Sequence, residues 1–193
     1  MVWHFYASFF CLGNKDLVLK TCLVLGDFND IKFKVDNFTK ENMSKIEQNW
    51  TEVSRALKVS IELITKYGYN RKSLSASNAL IPIAYFIYKN NLSDKIIHSQ
   101  SQEQNRKNII EWLSRVILRG TFGGTPDSIY PVMRNLINQY PNRFPLPEII
   151  EYYRGKRKSI SFSEDDEFVI KRSNISFANS AGIVKSSTKL FRI

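Results

Sequence analysis

The sequence predicts a mainly α fold: an irregular helical bundle of five or six helices with a poorly ordered C-terminal tail. Three observations predict it. Apolar residues recur at steps of three and four over long stretches, the period of an amphipathic helix. Only 8 Gly and 6 Pro interrupt the 193 residues. With 43% hydrophobic and 13% aromatic residues, the chain can bury the core of one ordinary domain.

Taken in order, residues 1 to 14 form an apolar N-terminal segment (Met1-Val-Trp-His-Phe-Tyr-Ala-Ser-Phe-Phe-Cys-Leu12 at its start). It lacks the basic start and cleavage site of a signal peptide and is too short to span a bilayer. No membrane partner is expected, and the two cysteines, Cys11 and Cys22, read as reduced and buried in a cytoplasmic protein. Residues 15 to 26 read as a short buried helix with Gly26 available to end it. The alternation Ile31-Lys-Phe-Lys-Val35 fits a short strand.

The clearest element runs from residue 40 to residue 67. Thr39 is expected to cap it, and Met43, Ile46, Trp50, Val53, Leu57, Ile61 and Ile64 form one apolar stripe expected to be core. Lys66 and Gly68 mark its end. A second helix is expected over 78 to 89, capped by Ser77, apolar nearly all round and therefore central. Pro82 falls in its first turns, where a missing N–H costs least. Residues 93 to 104 read as a polar connection. A helix over 103 to 119 follows, with Ile109, Trp112, Leu113, Val116 and Ile117 on one side and Gly120 as its stop. Thr125 and Pro126 are expected to start a helix to residue 139, with Pro131 bending it or shifting its start to Asp127. A short helix from Pro147 to residue 153 closes the domain, placed at 15 to 155. Residues 156 to 193 form a basic, Ser/Asn-rich tail expected to be poorly ordered, and residues 173 to 193 show no sustained period.

The formal charge is +10, and half of the excess sits in the last forty residues, with nine Lys or Arg against four acids. Such a balance suits a polyanion such as DNA. Arg71 and Lys72 in a loop, Arg106, Lys107, Arg115 and Arg119 on one helix, and Arg134 on the next are the candidate nucleic-acid contacts. They would touch phosphates and so position DNA without reading its sequence. Glu111, four residues before Arg115, is placed to neutralise it. No other chemistry stands out. His4 and His98 have no ligand cluster near them in sequence and read as surface or packing residues. The Gly120-Thr-Phe-Gly-Gly-Thr-Pro126 run reads as an interhelical turn rather than a phosphate cradle, since no Gly-Lys-Ser/Thr follows. The acids 164 to 167 read as a solvated helix start. No catalytic residue, metal or cofactor is expected.

Several runs resemble a known family. Lys15-Asp-Leu-Val-Leu-Lys-Thr-Cys-Leu-Val-Leu25, Phe33-Lys-Val-Asp-Asn-Phe38 and Glu47-Gln-Asn-Trp50 are similar to the region after the ParB-like part of GmrSD-type restriction endonucleases. Ser77-Asn-Ala-Leu-Ile-Pro-Ile-Ala-Tyr85 is the most specific run, and Trp112-Leu-Ser-Arg-Val-Ile-Leu-Arg-Gly-Thr-Phe-Gly-Gly124 and Asp127-Ser-Ile129 extend it. The resemblance covers residues 15 to about 168. It implies the helical middle of a three-part protein that cuts modified foreign DNA with nucleotide involvement, and other restriction subunits as partners. The family's Asp-Gly-Gln-Gln-Arg and His-Asn-His motifs are absent from this sequence, so no catalytic residue carries over. The resemblance fades at both ends, which leads to the expectation of a truncated, non-catalytic fragment of a disrupted gene. The alternative is an autonomous helical protein–protein interaction module.

Overall fold

The structure, a computed structural model, describes residues 15–32, 34, 38–70, 74, 77–123 and 126–162. Among these the helices are α1 (Lys15–Leu25), α2 (Lys40–Lys66), α3 (Leu80–Lys89), α4 (Lys95–His98), α5 (Glu103–Leu118), α6 (Ile129–Gln139) and α7 (Leu146–Tyr153). Short 3₁₀ turns at Ser77–Ala79, Gln100–Gln102 and Pro126–Ser128 lead into α3, α5 and α6. The bundle is mainly helical and irregular, as the periodicity predicts.

α3 is the centre. It packs against α2, α1 and α6, and every residue from Leu80 to Ile87 is buried. No polar face is left because neighbours cover it on several sides. α2, at 27 residues, is about 40 Å long. Its start follows expectation, with the Thr39 hydroxyl accepting from the Asn42 N–H at 3.2 Å. Its stripe does so only in part. Val53, Ala56, Leu57, Ser60, Ile61 and Ile64 are buried, whereas Trp50 is 43% exposed. By helical geometry Trp50 lies at the margin of the face centred on Val53, Ala56 and Ser60, and α2's first turns are mostly exposed.

Four helices end in the same way, with paired hydrogen bonds closing the last turn around a residue of positive φ. After α2 and α5 that residue is glycine, Gly68 (φ 83°) and Gly120 (φ 59°). After α3 it is Asn91 (φ 47°), and after α1 it is Asp27 (φ 55°), not Gly26. Gly26 serves a different need. A Cβ there would lie 2.5 Å from the Phe28 ring and 2.9 Å from the Cys22 carbonyl, so only glycine lets the chain fold back.

Other expectations are corrected. Ser77 does not cap α3, which instead grows out of the 3₁₀ turn at Ser77–Ala79 with Ala79 making no side-chain cap. The connection at 93 to 104 contains α4, held down by buried Ile96 and Ile97. α6 begins at Ile129, two residues later than Pro131 alone suggested. Ile31, Lys32 and Lys34 form no strand, while Phe33 and Val35 lie outside the described residues. So do His4, Cys11, Thr125 and the acids 164–167. Cys22 is buried as expected, and burial pushes its thiol up to about 11.

The α5–α6 turn is packed from beneath by aromatic rings. Trp112 meets Phe122 and Phe144 edge-on at 6.0 and 5.7 Å, and Phe144 meets Phe86 at 5.4 Å. Asn105 accepts from the Phe144 N–H and donates to the Asn142 carbonyl, seating the entry to α7 on α5. Packing continues past residue 155, where the tail was expected to begin. Ile160 is 1% exposed and belongs to the core. Residues 163–193 lie outside the described residues.

Candidate functional site

Among the described residues, several polar side chains converge on Asp27. Its left-handed conformation swings the carboxylate off the end of α1 toward α3 and α6. One oxygen accepts from the Tyr85 hydroxyl at 2.9 Å and from Arg134 at 2.9 and 3.1 Å, and the other pairs with Lys89. Asn138 Nδ2 donates to the Tyr85 oxygen at 3.0 Å, and Arg134 also donates to the Phe28 carbonyl at 2.9 Å. Burial alone would raise the Asp27 carboxyl, but hydrogen bonds from Lys89 and Tyr85 and the charges of Lys89 and Arg134 hold it below the usual carboxylate range. Burial raises the Tyr85 phenol and the hydrogen bond to Asp27 adds to it, whereas Lys89 is raised against burial by its hydrogen bond to Asp27. A surface cleft of about 320 Å³ opens beside Asp27, lined also by Asn29, Asp30, Asn42 and Lys45. Two cations facing one carboxylate make a clamp that ties α1, α3 and α6 together.

A second tie lies nearby on α1. Lys20 is 8% exposed, and its ammonium donates to the Ile31 carbonyl at 2.6 Å and to Asp127 at 2.7 Å. A lysine buried in this way requires an anion at hand, and Asp127 in the turn before α6 supplies it. Tyr130 on α6 is fully buried, and its hydroxyl has no hydrogen-bond partner among the described residues. Burial, with Asp127 adding to it, raises its phenol.

The described residues expected to meet phosphate each have a partner within the chain. Arg106 donates to the Ile96 and Ser99 carbonyls at 3.0 and 2.7 Å, closing the end of α4. Lys107 pairs with Glu103 one turn back at 2.7 Å. Arg115 is 3% exposed and makes the expected pair with Glu111 at 2.8 Å. It also donates to the Ile160 carbonyl at 3.4 Å. Arg119 donates to the Ser161 carbonyl at 2.7 Å and stacks on the Phe162 ring, its guanidinium carbon 4.4 Å from the ring centre. Arg134 serves Asp27. Arg71 and Lys72 lie outside the described residues. Arg115 and Arg119 are brought together by the residues they hold; Arg106 and Arg134 are taken up by other partners.

The clamp residues Asp27, Tyr85, Lys89 and Asn138 escaped sequence reasoning. Tyr85 and Lys89, one turn apart on an otherwise apolar helix, carried a faint signal. Asp27 carried none, because only folding brings it to them. His98 is exposed at the end of α4. Among the described residues, no group of three or more His, Cys, Asp or Glu is placed to hold a metal ion. Among them too, no helix is long and apolar enough to cross a membrane. Compared with known proteins, the chain matches no protein-family model and none of the curated proteins.

Proposed function

We propose that the chain is a helical scaffold, non-catalytic by itself, akin to the middle region of GmrSD-type restriction proteins. Its task is to hold neighbouring parts together rather than to grip DNA. The observation that carries the reading is the use made of the arginines. Arg106, Arg115, Arg119 and Arg134 all donate to carbonyls or carboxylates of their own chain. A guanidinium committed to an internal acceptor must break that bond to reach a phosphate. The runs that carry the family resemblance also supply core: Leu80, Ile81, Ile83 and Ala84 in one, Trp112, Leu113, Val116 and Phe122 in the other. On this reading the resemblance rests on residues that build a core, and a fold alone does not carry an activity.

The test compares stability with DNA affinity in the same variants. Arg115→Ala and Arg134→Ala are expected to lower the melting temperature, with no salt-dependent binding to labelled duplex DNA in wild type or variant. The opposite pattern, unchanged melting with lost affinity and a shallower salt slope, would restore the phosphate-contact assignment.

A further inference from the structure

Beyond α7 the chain turns at Gly155 (φ 70°) and returns across α5 without regular secondary structure. Four contacts hold residues 159–162 there. Ile160 is inserted into the core at 1% exposure. Arg115 on α5 and Arg119 at its C-terminal cap, one turn apart, donate to the successive carbonyls of Ile160 and Ser161. The Phe162 ring lies over both guanidinium groups, 4.4 Å from Arg119 and 5.6 Å from Arg115. Backbone carbonyls read by fixed donors, with an aliphatic plug and an aromatic cap, are the means by which a folded surface holds a non-helical peptide.

We propose that this face of α5 is a docking groove for a peptide bearing an aliphatic residue two before an aromatic one, and that residues 159–162 are its resident occupant. The chemistry of the occupant is read from the segment already seated. Main-chain carbonyls are common to every peptide, so selectivity rests with the Ile160 and Phe162 positions. The segment joins α7 through a connection of five residues, so its effective concentration at the groove is on the order of millimolar. A partner peptide at micromolar concentration is held out unless the resident segment is loosened. The inference rests on the scaffold reading for the existence of a partner, since a scaffold must grip something.

The experiment uses the full chain and a labelled peptide, Arg-Lys-Ser-Ile-Ser-Phe-Ser, copied from residues 157–163. A scrambled peptide of the same composition is the control for charge. Ile160→Asp expels the resident plug, and this variant is expected to bind the peptide at least about tenfold more tightly than wild type. Phe162→Ala, which loosens the segment without introducing a charge, is expected to bind at an intermediate level. Adding Arg119→Ala to either variant is expected to weaken binding about tenfold, the loss of one charge-assisted bond and its stacking. Circular dichroism reports whether each variant is folded. Should Ile160→Asp fail to fold, Phe162→Ala carries the test. Folded variants that bind the peptide no better than its scrambled form overturn the proposal, and so does wild type binding as tightly as the variants. Peptide binding and the melting-and-DNA comparison can fail separately, so a failure of the groove is distinguishable from a failure of the scaffold reading.

Discussion

α2 and α3 pack against each other, yet they are helices of opposite kinds. α3 has ten residues and buries eight of them; α2 has 27 and buries nine. Length therefore says little about how much a helix contributes. α3 is enclosed by α1, α2 and α6, so a change at almost any of its positions is felt. α2 carries burial in its second half and leaves its first turns mostly to solvent, so an equal change there costs little. The clamp at Asp27 adds to the contrast. It reaches α3 through Tyr85 and Lys89, and so reinforces the helix that is already the most enclosed.

Substitutions along the two helices measure the difference between them. Phe86→Ala, at a fully buried site in edge-on contact with Phe144, is expected to cost about 3–5 kcal/mol in denaturant unfolding. Leu57→Ala, in the buried half of α2, is expected to cost about 2–4 kcal/mol. If Leu57→Ala costs more than Phe86→Ala, the central position of α3 confers nothing beyond burial. Trp50→Ala, in the exposed half, is expected to stay within about 0.5 kcal/mol of wild type. A loss above 2 kcal/mol would mean that the first turns of α2 are covered in solution.

The clamp at Asp27 falls between these extremes. Asp27→Asn is expected to cost about 1–2 kcal/mol at neutral pH, a modest figure because the carboxylate is 38% solvent-exposed. The dependence on pH has a definite sign. The Asp27 carboxyl is lowered on folding, so its contribution is present above the unfolded value, about 3.9, and is lost as pH falls through the lower folded value. Lys89 is raised, so its share is present below its unfolded value, about 10.4, and is lost as pH rises through the folded one. The stability difference between wild type and Asp27→Asn should hold between about pH 5 and pH 9 and shrink below about pH 4. A difference independent of pH down to strong acid would remove the carboxylate from the account.

The arginines expected to contact nucleic acid have intrachain partners that helical periodicity does not reveal. The positions of Arg106, Arg115, Arg119 and Arg134 on their helices followed from periodicity, and so did the pairing of Arg115 with Glu111. Their long-range acceptors did not follow. Arg134 and Asp27 are 107 residues apart, and Arg119 and Ser161 are 42 apart. A charge read from sequence looks free until the fold supplies its partner. α4 was missed for a related reason: Ile96 and Ile97 are a single apolar pair in a polar run, too short to set a period.

Features that depend on near neighbours along the chain were legible in the amino-acid order. The helical period, the Thr39 cap and the stops at Gly68 and Gly120 are such features, because each is fixed by atoms within one or two turns. The central place of α3 was legible too, since a helix apolar on every side can lie only inside. Only the tertiary structure decided which half of α2 is covered, where Asp27 finds its cations, and that residues 159–162 lie across α5. Those outcomes depend on groups distant in sequence meeting in space, and the hydrophobic effect that gathers them has no direction of its own.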